Sequence, residues 1–256
     1  VSLLMPIERR KQILDMLTKQ QSVRVRDLCI IFKVSEVTIR RDLESMEQDG
    51  LLERCHGGAV IGRHMITEPL FIQKQTSYLT AKQKIGALAA TLIQEGETVF
   101  IGSGTTTLQI FQNLSCQELQ IITTNIGAVT EARSQSMGTT LTGGNYREKS
   151  HSLLGPAALL TLQYYHANKC FIGTDGISPK HGLTTPLVEE ATVLRMMLER
   201  THGTKILLTD HSKFGVVASA KICTISEIDV IITDELLAPS YKQELESMGV
   251  QVLIAE

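Results

Sequence analysis

The sequence predicts two domains of different class: an N-terminal all-α winged helix-turn-helix unit over residues 6–61 and a C-terminal α/β domain with a largely parallel sheet over 79–256. Three observations carry this. Residues up to about 60 hold three apolar stripes at helical spacing, then short strand-like runs around Gly57-Gly58. Residues 62–78 are mixed and polar, contain Pro69, and read as a linker. From about residue 80 onward, short β-rich runs alternate with helical ones, the pattern of parallel strands joined by crossovers. With 256 residues, 43% apolar and 20% charged, the chain can bury two cores of ordinary size.

The first helix is expected over about 6–18, opened by Pro6, whose missing N–H costs nothing in a first turn, with Ile13, Leu14 and Leu17 on one face. The second, about 24–32, sets Leu28, Ile31 and Phe32 at i, i+3, i+4 spacing. Lys33-Val34 turns the chain and Ser35 stands where a helix N-cap belongs, which places the helix-turn-helix at 23–42. The third helix runs to Asp49 on an Ile39, Leu43, Met46 stripe, and Gly50 stops it. Gly57-Gly58 is the turn of a hairpin wing.

In the second domain, Thr80–Gln94 reads as helix. The β-rich runs are Thr98–Ile101, Leu119–Thr123, Thr139–Leu141, Cys170–Ile172, Lys205–Leu208, Val230–Ile232 and Val250–Ile254, with helical stretches near 105–113, 126–136, 187–200 and 240–248 between them.

Composition narrows the function classes. No run approaches ~18 consecutive apolar residues, so no membrane-spanning helix and no membrane partner is expected. The N-terminus passes into charge too early for a secretory signal. Five widely spaced cysteines without a C-x-x-C pair read as reduced thiols of a cytoplasmic protein, with no metal site and no cofactor. Residues 1–63 hold 11 basic and 9 acidic side chains, so the first domain is not strongly basic and any nucleic-acid contact must come from a few placed residues.

Winding 36–48 at 100° per residue puts Val37, Arg41, Glu44 and Gln48 opposite the apolar stripe, with Thr38 and Arg40 on the flanks. Arginine can fork onto guanine and a valine methyl can touch thymine, while Ser35 and Thr38 can donate to phosphate. A solvated face carrying Arg40–Glu44 or Arg41–Glu44 pairs fits the same helix taken alone. The whole string decides between them. Arg10-x-x-Ile13, Leu28, Val34-Ser35-x-x-Thr38-Ile39-Arg40-Arg41-Asp42-Leu43 and Gly50-Leu51-x-x-Arg54-x-His56-Gly57-Gly58-Ala59 together resemble the DeoR family of bacterial transcription regulators over residues 6–61. The resemblance implies a reading helix at 35–43 on double-stranded operator DNA, with Arg54 and His56 of the wing near the backbone. For His56, a turn residue capping its own hairpin remains the other reading. Asp42 is expected to lock a helix–helix contact, since a carboxylate beside phosphate is repelled.

In the second domain, Val99-Phe-Ile-Gly-Ser-Gly-Thr-Thr-Thr-Leu is a strand, a Gly-hydroxyl loop and a helix start, a geometry that favours an anion. It lacks the third glycine of a dinucleotide fingerprint and the Gly-Lys-Ser/Thr of a Walker loop. Thr123-Thr124-Asn125, Gly173-Thr-Asp175-Gly176 and Thr209-Asp210-x-Ser212-Lys213 end further β-rich runs, and Gly143-Gly144 ends a fourth. These stretches resemble the effector domain of DeoR-type regulators, itself similar to ribose-5-phosphate isomerase. By that resemblance a phosphorylated sugar or related metabolite binds Ser103, Gly104, Thr105, Thr106, Thr107, Thr123, Thr124, Asn125, Gly143, Asp175 and Lys213. Ser103 stands where many relatives carry Asp, and Leu194 where they carry Lys. Glu190 and Arg195 fit either a pocket wall or a surface helix pair.

The resulting expectation is a regulator, a repressor of carbohydrate genes, acting as a homodimer or homotetramer because paired half-sites multiply the specificity of one short helix. Two alternatives are a C-terminal domain that only oligomerises, and a sugar-phosphate isomerase. The isomerase family's Lys-Gly-Gly-Gly loop is absent from Gly182–Glu190, so no catalytic residue is assigned.

Overall fold

A computed structural model of the chain describes residues 6–20, 22–48, 52–55, 57–61, 71–116, 118–131 and 138–256. The N-terminal unit runs α1 (Pro6–Gln20), β1 (Ser22–Arg24), α2 (Val25–Phe32), α3 (Glu36–Gln48), β2 (Leu52–Cys55), β3 (Gly58–Ile61). Ile13 and Leu17 of α1, Leu28 of α2 and Ile39, Leu43 and Met46 of α3 form its core, as their spacing requires. Ile31 is half exposed instead, and Val25 takes its place inside. Lys33 adopts φ 52°, the left-handed turn that ends α2. The unit is not purely helical: the wing hairpin gains a third strand, in the order β1-β3-β2. Gly58 permits this, because a Cβ there would lie 2.1 Å from the Val23 carbonyl oxygen.

The segment read as linker is partly structured. Phe71–Thr76 forms α4, and Phe71 is buried in the C-terminal core. Its apolar residues sit too close together for a helical period to register in the sequence.

The C-terminal unit continues with α5 (Leu79–Ala90), β4 (Thr98–Ile101), a 3-10 helix (Thr107–Asn113), β5 (Gln120–Thr123), α6 (Ala128–Glu131), β6 (Gly138–Leu141), β7 (Asn145–Arg147), β8 (Ser152–Leu154) and α7 (Pro156–Gln163). Then follow β9 (Ala167–Ile172), β10 (Gly176–Ser178), β11 (Gly182–Thr185), α8 (Val188–Glu199), β12 (Thr201–Leu208), β13 (Ala220–Cys223), β14 (Val230–Asp234), α9 (Pro239–Ser247) and β15 (Gln251–Ala255). Seven strands form one sheet in the order β15-β14-β12-β9-β4-β5-β6. Every pairing in it is parallel.

Alternate residues of each strand feed cores on opposite faces. Phe100, Ile122, Cys170, Ile172, Leu207 and Ile231 pack under α7 and α8. Val99, Ile101, Ile121, Phe171, Ile206 and Ile232 pack under α5 and the 3-10 helix. A second sheet, β10-β11-β13, is small and antiparallel. Strand order reverses between β4 and β9: β5 and β6 lie to one side of β4, and β9, β12, β14 and β15 to the other. Such a switch point opens a crevice at the carboxyl ends of the two strands, where α/β sheets bind ligands.

Candidate functional sites

On α3 the face away from the core carries Val37, 64% exposed, with exposed Arg40 and Arg41. Ser35 caps the helix: its Oγ accepts from the Thr38 backbone N at 3.3 Å and lies 2.9 Å from Thr38 Oγ1. Both hydroxyls thus sit at the helix N-terminus, where backbone N–H groups and the helix dipole favour an anion. Arg40 donates through Nε and Nη2 to Glu36 Oε1 at 3.0 and 2.6 Å, so its intrahelical partner is Glu36 rather than Glu44. Glu44 instead faces Arg54 of the wing at 3.5 Å, and the Arg54 backbone N donates to Glu47. Arg41 carries no ion pair among the described residues. His56 lies outside the described residues.

The second site occupies the switch-point crevice. A cleft of about 530 Å³, counted to its open mouth, is lined by Ser103–Thr106 after β4, Gly173–Asp175 after β9 and Leu208–Asp210 with Lys213 after β12. Lys74 of α4, Lys82 of α5, Thr185 of β11, and Glu190 and Leu194 of α8 complete it.

Three ammonium groups meet there. Lys74 Nζ donates to Asp175 Oδ1 at 2.5 Å. Lys82 Nζ donates to the backbone carbonyls of Lys74 and of Ser77, the latter at 2.8 Å. Burial lowers the Lys82 pKa to about 8; Asp210 opposes the shift, and Lys213 and Lys74 add to it. Burial pushes the Asp175 carboxyl up, but Lys74 and Lys213, with hydrogen bonds from Lys74 and Thr185, outweigh it and hold its pKa below the usual value. Thr185 Oγ1 stands 3.1 Å from both Asp175 Oδ2 and Glu190 Oε2, so its one proton serves either acid. Ser103 Oγ donates to Glu190 Oε1 at 3.4 Å. Asp210 fixes the third loop by accepting from the Ser212 backbone N at 3.0 Å.

The structure gathers Ser103, Gly104, Thr105, Thr106, Asp175 and Lys213 around the cleft. It places Thr107, Thr123, Thr124, Asn125 and Gly143 away from its lining. Thr107 Oγ1 donates to the Gly102 and Gly104 carbonyls, and Asn125 Nδ2 to the Gly104 carbonyl at 3.1 Å, so both brace the loop that follows β4. Thr123 Oγ1 donates to the Ile101 carbonyl at 2.6 Å. Thr124 is fully buried, and Gly143 is a turn residue at φ 71°. Glu190 belongs to the cleft wall, whereas Arg195 donates to the Ile222 and Lys221 carbonyls.

Sequence reading missed Lys74 and Lys82. Lys74 fell in the supposed linker. For Lys82 a signal existed: it shares a helical face with Ile85 and Ala89, and a lysine on an apolar face needs a reason to be there.

Residues 9–64 match the DeoR-like helix-turn-helix domain, and residues 77–235 the DeoR C-terminal sensor domain. The putative aga operon transcriptional repressor of Escherichia coli O157:H7 is 36% identical over 96% of this chain and 93% of its own. The transcriptional regulator GlpR of Haloferax volcanii is 32% identical over 98% of each, and the repressor GlcR of Bacillus subtilis 32% over 97% and 96%. Ribose-5-phosphate isomerase A of Methanocaldococcus jannaschii overlays 54% of this chain and 55% of its own at 17% identity with a TM-score of 0.39, too distant to bear on the ligand. Two domain matches in the same order as the two folded units, and relatives aligned almost end to end, place the chain in the DeoR family of DNA-binding transcriptional regulators.

Proposed function

We propose that the chain represses genes of carbohydrate metabolism and leaves its operator when a phosphorylated sugar enters the switch-point cleft. One observation carries the effector half. Lys74, Lys82 and Lys213 converge on a cleft whose floor is the Ser103–Thr106 loop, so an anion held by that loop meets charge-assisted donors. Asp175, Glu190 and Thr185 supply acceptors for sugar hydroxyls at the other wall. The relatives' names support repression: two of those above are called repressors, one of them of the aga operon.

For the DNA half we assign base contacts to Val37, Arg40 and Arg41 of α3 and backbone contacts to Ser35, Thr38, Arg54 and His56. We divide the chain into a DNA-binding domain (6–61), a connecting stretch (62–78) and a domain for effector binding and oligomerisation (79–256). The order of the two domain matches, over 9–64 and 77–235, supports this division, and α4 lies within the connecting stretch. A homodimer or homotetramer in the cytoplasm fits the short reading helix, whose specificity rises when half-sites are paired. No helix of the described residues is long and apolar enough to cross a membrane. We assign the cleft a binding role and no reaction.

The test is a thermal-shift screen of the full chain against sugar phosphates and the parent sugars. A ligand at ~100 times its Kd stabilises the fold by ~2.7 kcal/mol. Stabilisation by one or more phosphates and not by the parent sugar is expected. No response to any phosphorylated sugar would remove the effector reading.

A further inference from the structure

We propose that α4 is a clamp-and-release element: Lys74 on Asp175 closes it, and an anionic effector that takes over the lysines of the cleft opens it. This rests on the effector reading above and names how the same site reaches the DNA-binding domain.

Position makes α4 suited to the task. It is the first described segment after the wing, so whatever holds or frees α4 sets where the connection to the reading head begins. Its hold on the C-terminal domain is short and specific. Phe71 stacks on the His151 ring with centroids 4.4 Å apart, and its backbone N donates to the Lys149 carbonyl at 2.9 Å. Lys74 reaches across 101 residues of sequence to Asp175, with side chains 17% and 13% exposed. Lys82 binds the far end through the Lys74 and Ser77 carbonyls. Tyr78, at φ 52°, sets its ring edge-on against His211 in the Lys213 loop.

Two of these ties are made by cleft groups. Asp175 and the Lys82 ammonium line the same cavity that the effector would fill. A phosphate between Lys82, Lys213 and the Gly104–Thr106 loop draws the Lys82 ammonium toward it, away from carbonyls that carry only partial charge. A sugar hydroxyl donating to Asp175 competes with Lys74 for the same carboxylate. Effector and clamp therefore use the same groups, and binding must weaken α4's attachment by as much as α4's attachment weakens binding. With the Lys74–Asp175 pair and the Lys82 bonds both given up, this six-residue helix keeps the Phe71 stack and its backbone hydrogen bond as its named ties to the sheet, and so short a helix opens more readily for each tie it loses. A freed α4 lengthens the connection to each head, and two heads on longer connections lose the fixed spacing that paired half-sites demand.

Hydrogen exchange of residues 71–78 in the full chain tests this, with inorganic phosphate and ribose 5-phosphate as probes and a parallel thermal melt to report binding. In the wild type these amides should exchange slowly without ligand and about tenfold faster with a probe that raises the melting temperature. Lys74→Met should exchange fast with or without the probe. Lys74→Arg, which retains the pair, should restore slow exchange and its response. Protection in Lys74→Met equal to wild type would overturn the clamp. So would a melting-temperature rise with unchanged exchange, which leaves the effector reading standing. No rise with either probe, nor with any sugar phosphate of the wider screen, would remove the effector reading and the release step together. Lys74→Met failing to fold would show as lost protection throughout the sheet; the Lys74→Arg arm then decides, and an Arg variant without the probe response overturns the proposal.

Discussion

Arg9 on α1 and Asp42 on α3 meet at 2.5 Å with both side chains only 6% exposed, so α3 is fixed to the first helix by a buried ion pair. Arg10 adds a 3.5 Å contact to the other carboxylate oxygen and donates to Ser45 at 2.6 Å. The carboxylate thus points away from the face assigned to DNA. Asp42→Ala breaks this buried pair, and breaking a buried pair costs about 3–5 kcal/mol. A urea melt of the N-terminal domain should show that loss; a change below ~1 kcal/mol would mean the pair does not hold the helix.

Arg41 has no ionic partner among the described residues, whereas Arg40 is engaged by Glu36 on its own helix. Arg41→Ala should therefore cost the larger share of operator affinity, about 1–3 kcal/mol if it meets a base, and the loss should depend on sequence. Arg40→Ala should cost less, since Arg40 must leave Glu36 to reach DNA. Fluorescence anisotropy on operator and unrelated duplexes separates the two. Equal affinities for wild type and both variants would take α3 out of DNA reading.

Gly86 of α5 faces Gln109 of the 3-10 helix, and a Cβ there would lie 2.3 Å from Gln109 Cβ and 2.7 Å from its carbonyl carbon. Helix propensity alone favours alanine over glycine by ~1 kcal/mol. Overpacking opposes it at about 1–3 kcal/mol. Because the obstacle is backbone as well as side chain, Gly86→Ala is expected to destabilise, with a lower denaturant midpoint; a higher one would mean the two elements can part without loss.

Lys82, its pKa lowered to about 8, gives the cleft a pH dependence. The folded chain holds fewer protons than the unfolded one between about 8 and the ordinary 10.5, so this lysine's burial penalty is present in full below pH 8 and is relieved as pH rises. Anion binding runs the other way, because it needs the charged ammonium. Phosphate affinity measured by calorimetry should fall by up to about tenfold per pH unit above pH 8, with proton uptake on binding there. Lys82→Met should abolish that decline. An affinity independent of pH from 8 to 10 in the wild type would separate Lys82 from the anion.

What the sequence disclosed follows the range of each signal. The core of the N-terminal unit was legible because Ile39, Leu43 and Met46 repeat at helical spacing, and the main strands because Val, Ile and Phe cluster in them. β10, β11 and β13 were missed: Gly-Ile-Ser, Gly-Leu-Thr-Thr and Ala-Lys-Ile-Cys are three- and four-residue strands with little apolar alternation, held by pairing partners far along the chain. The Ser103–Thr106 stretch of the cleft lining was legible because its glycine and hydroxyls are contiguous in sequence. Thr123 Oγ1 donates to the Ile101 carbonyl of β4 and Asn125 Nδ2 to the Gly104 carbonyl, partnerships visible only in three dimensions. Lys74 and Asp175 are 101 residues apart, and no local pattern connects them.

The most direct measurement is release of DNA by ligand. A duplex selected from a random pool by the full chain, labelled and followed by anisotropy, is titrated with sugar phosphates for the wild type and for Lys213→Met. Selection of a repeated half-site is expected, with wild-type protein displaced by at least one sugar phosphate and Lys213→Met still bound at the concentration that displaces it. A wild-type complex that no sugar phosphate weakens, or a Lys213→Met complex released at the same concentration as the wild type, would contradict it.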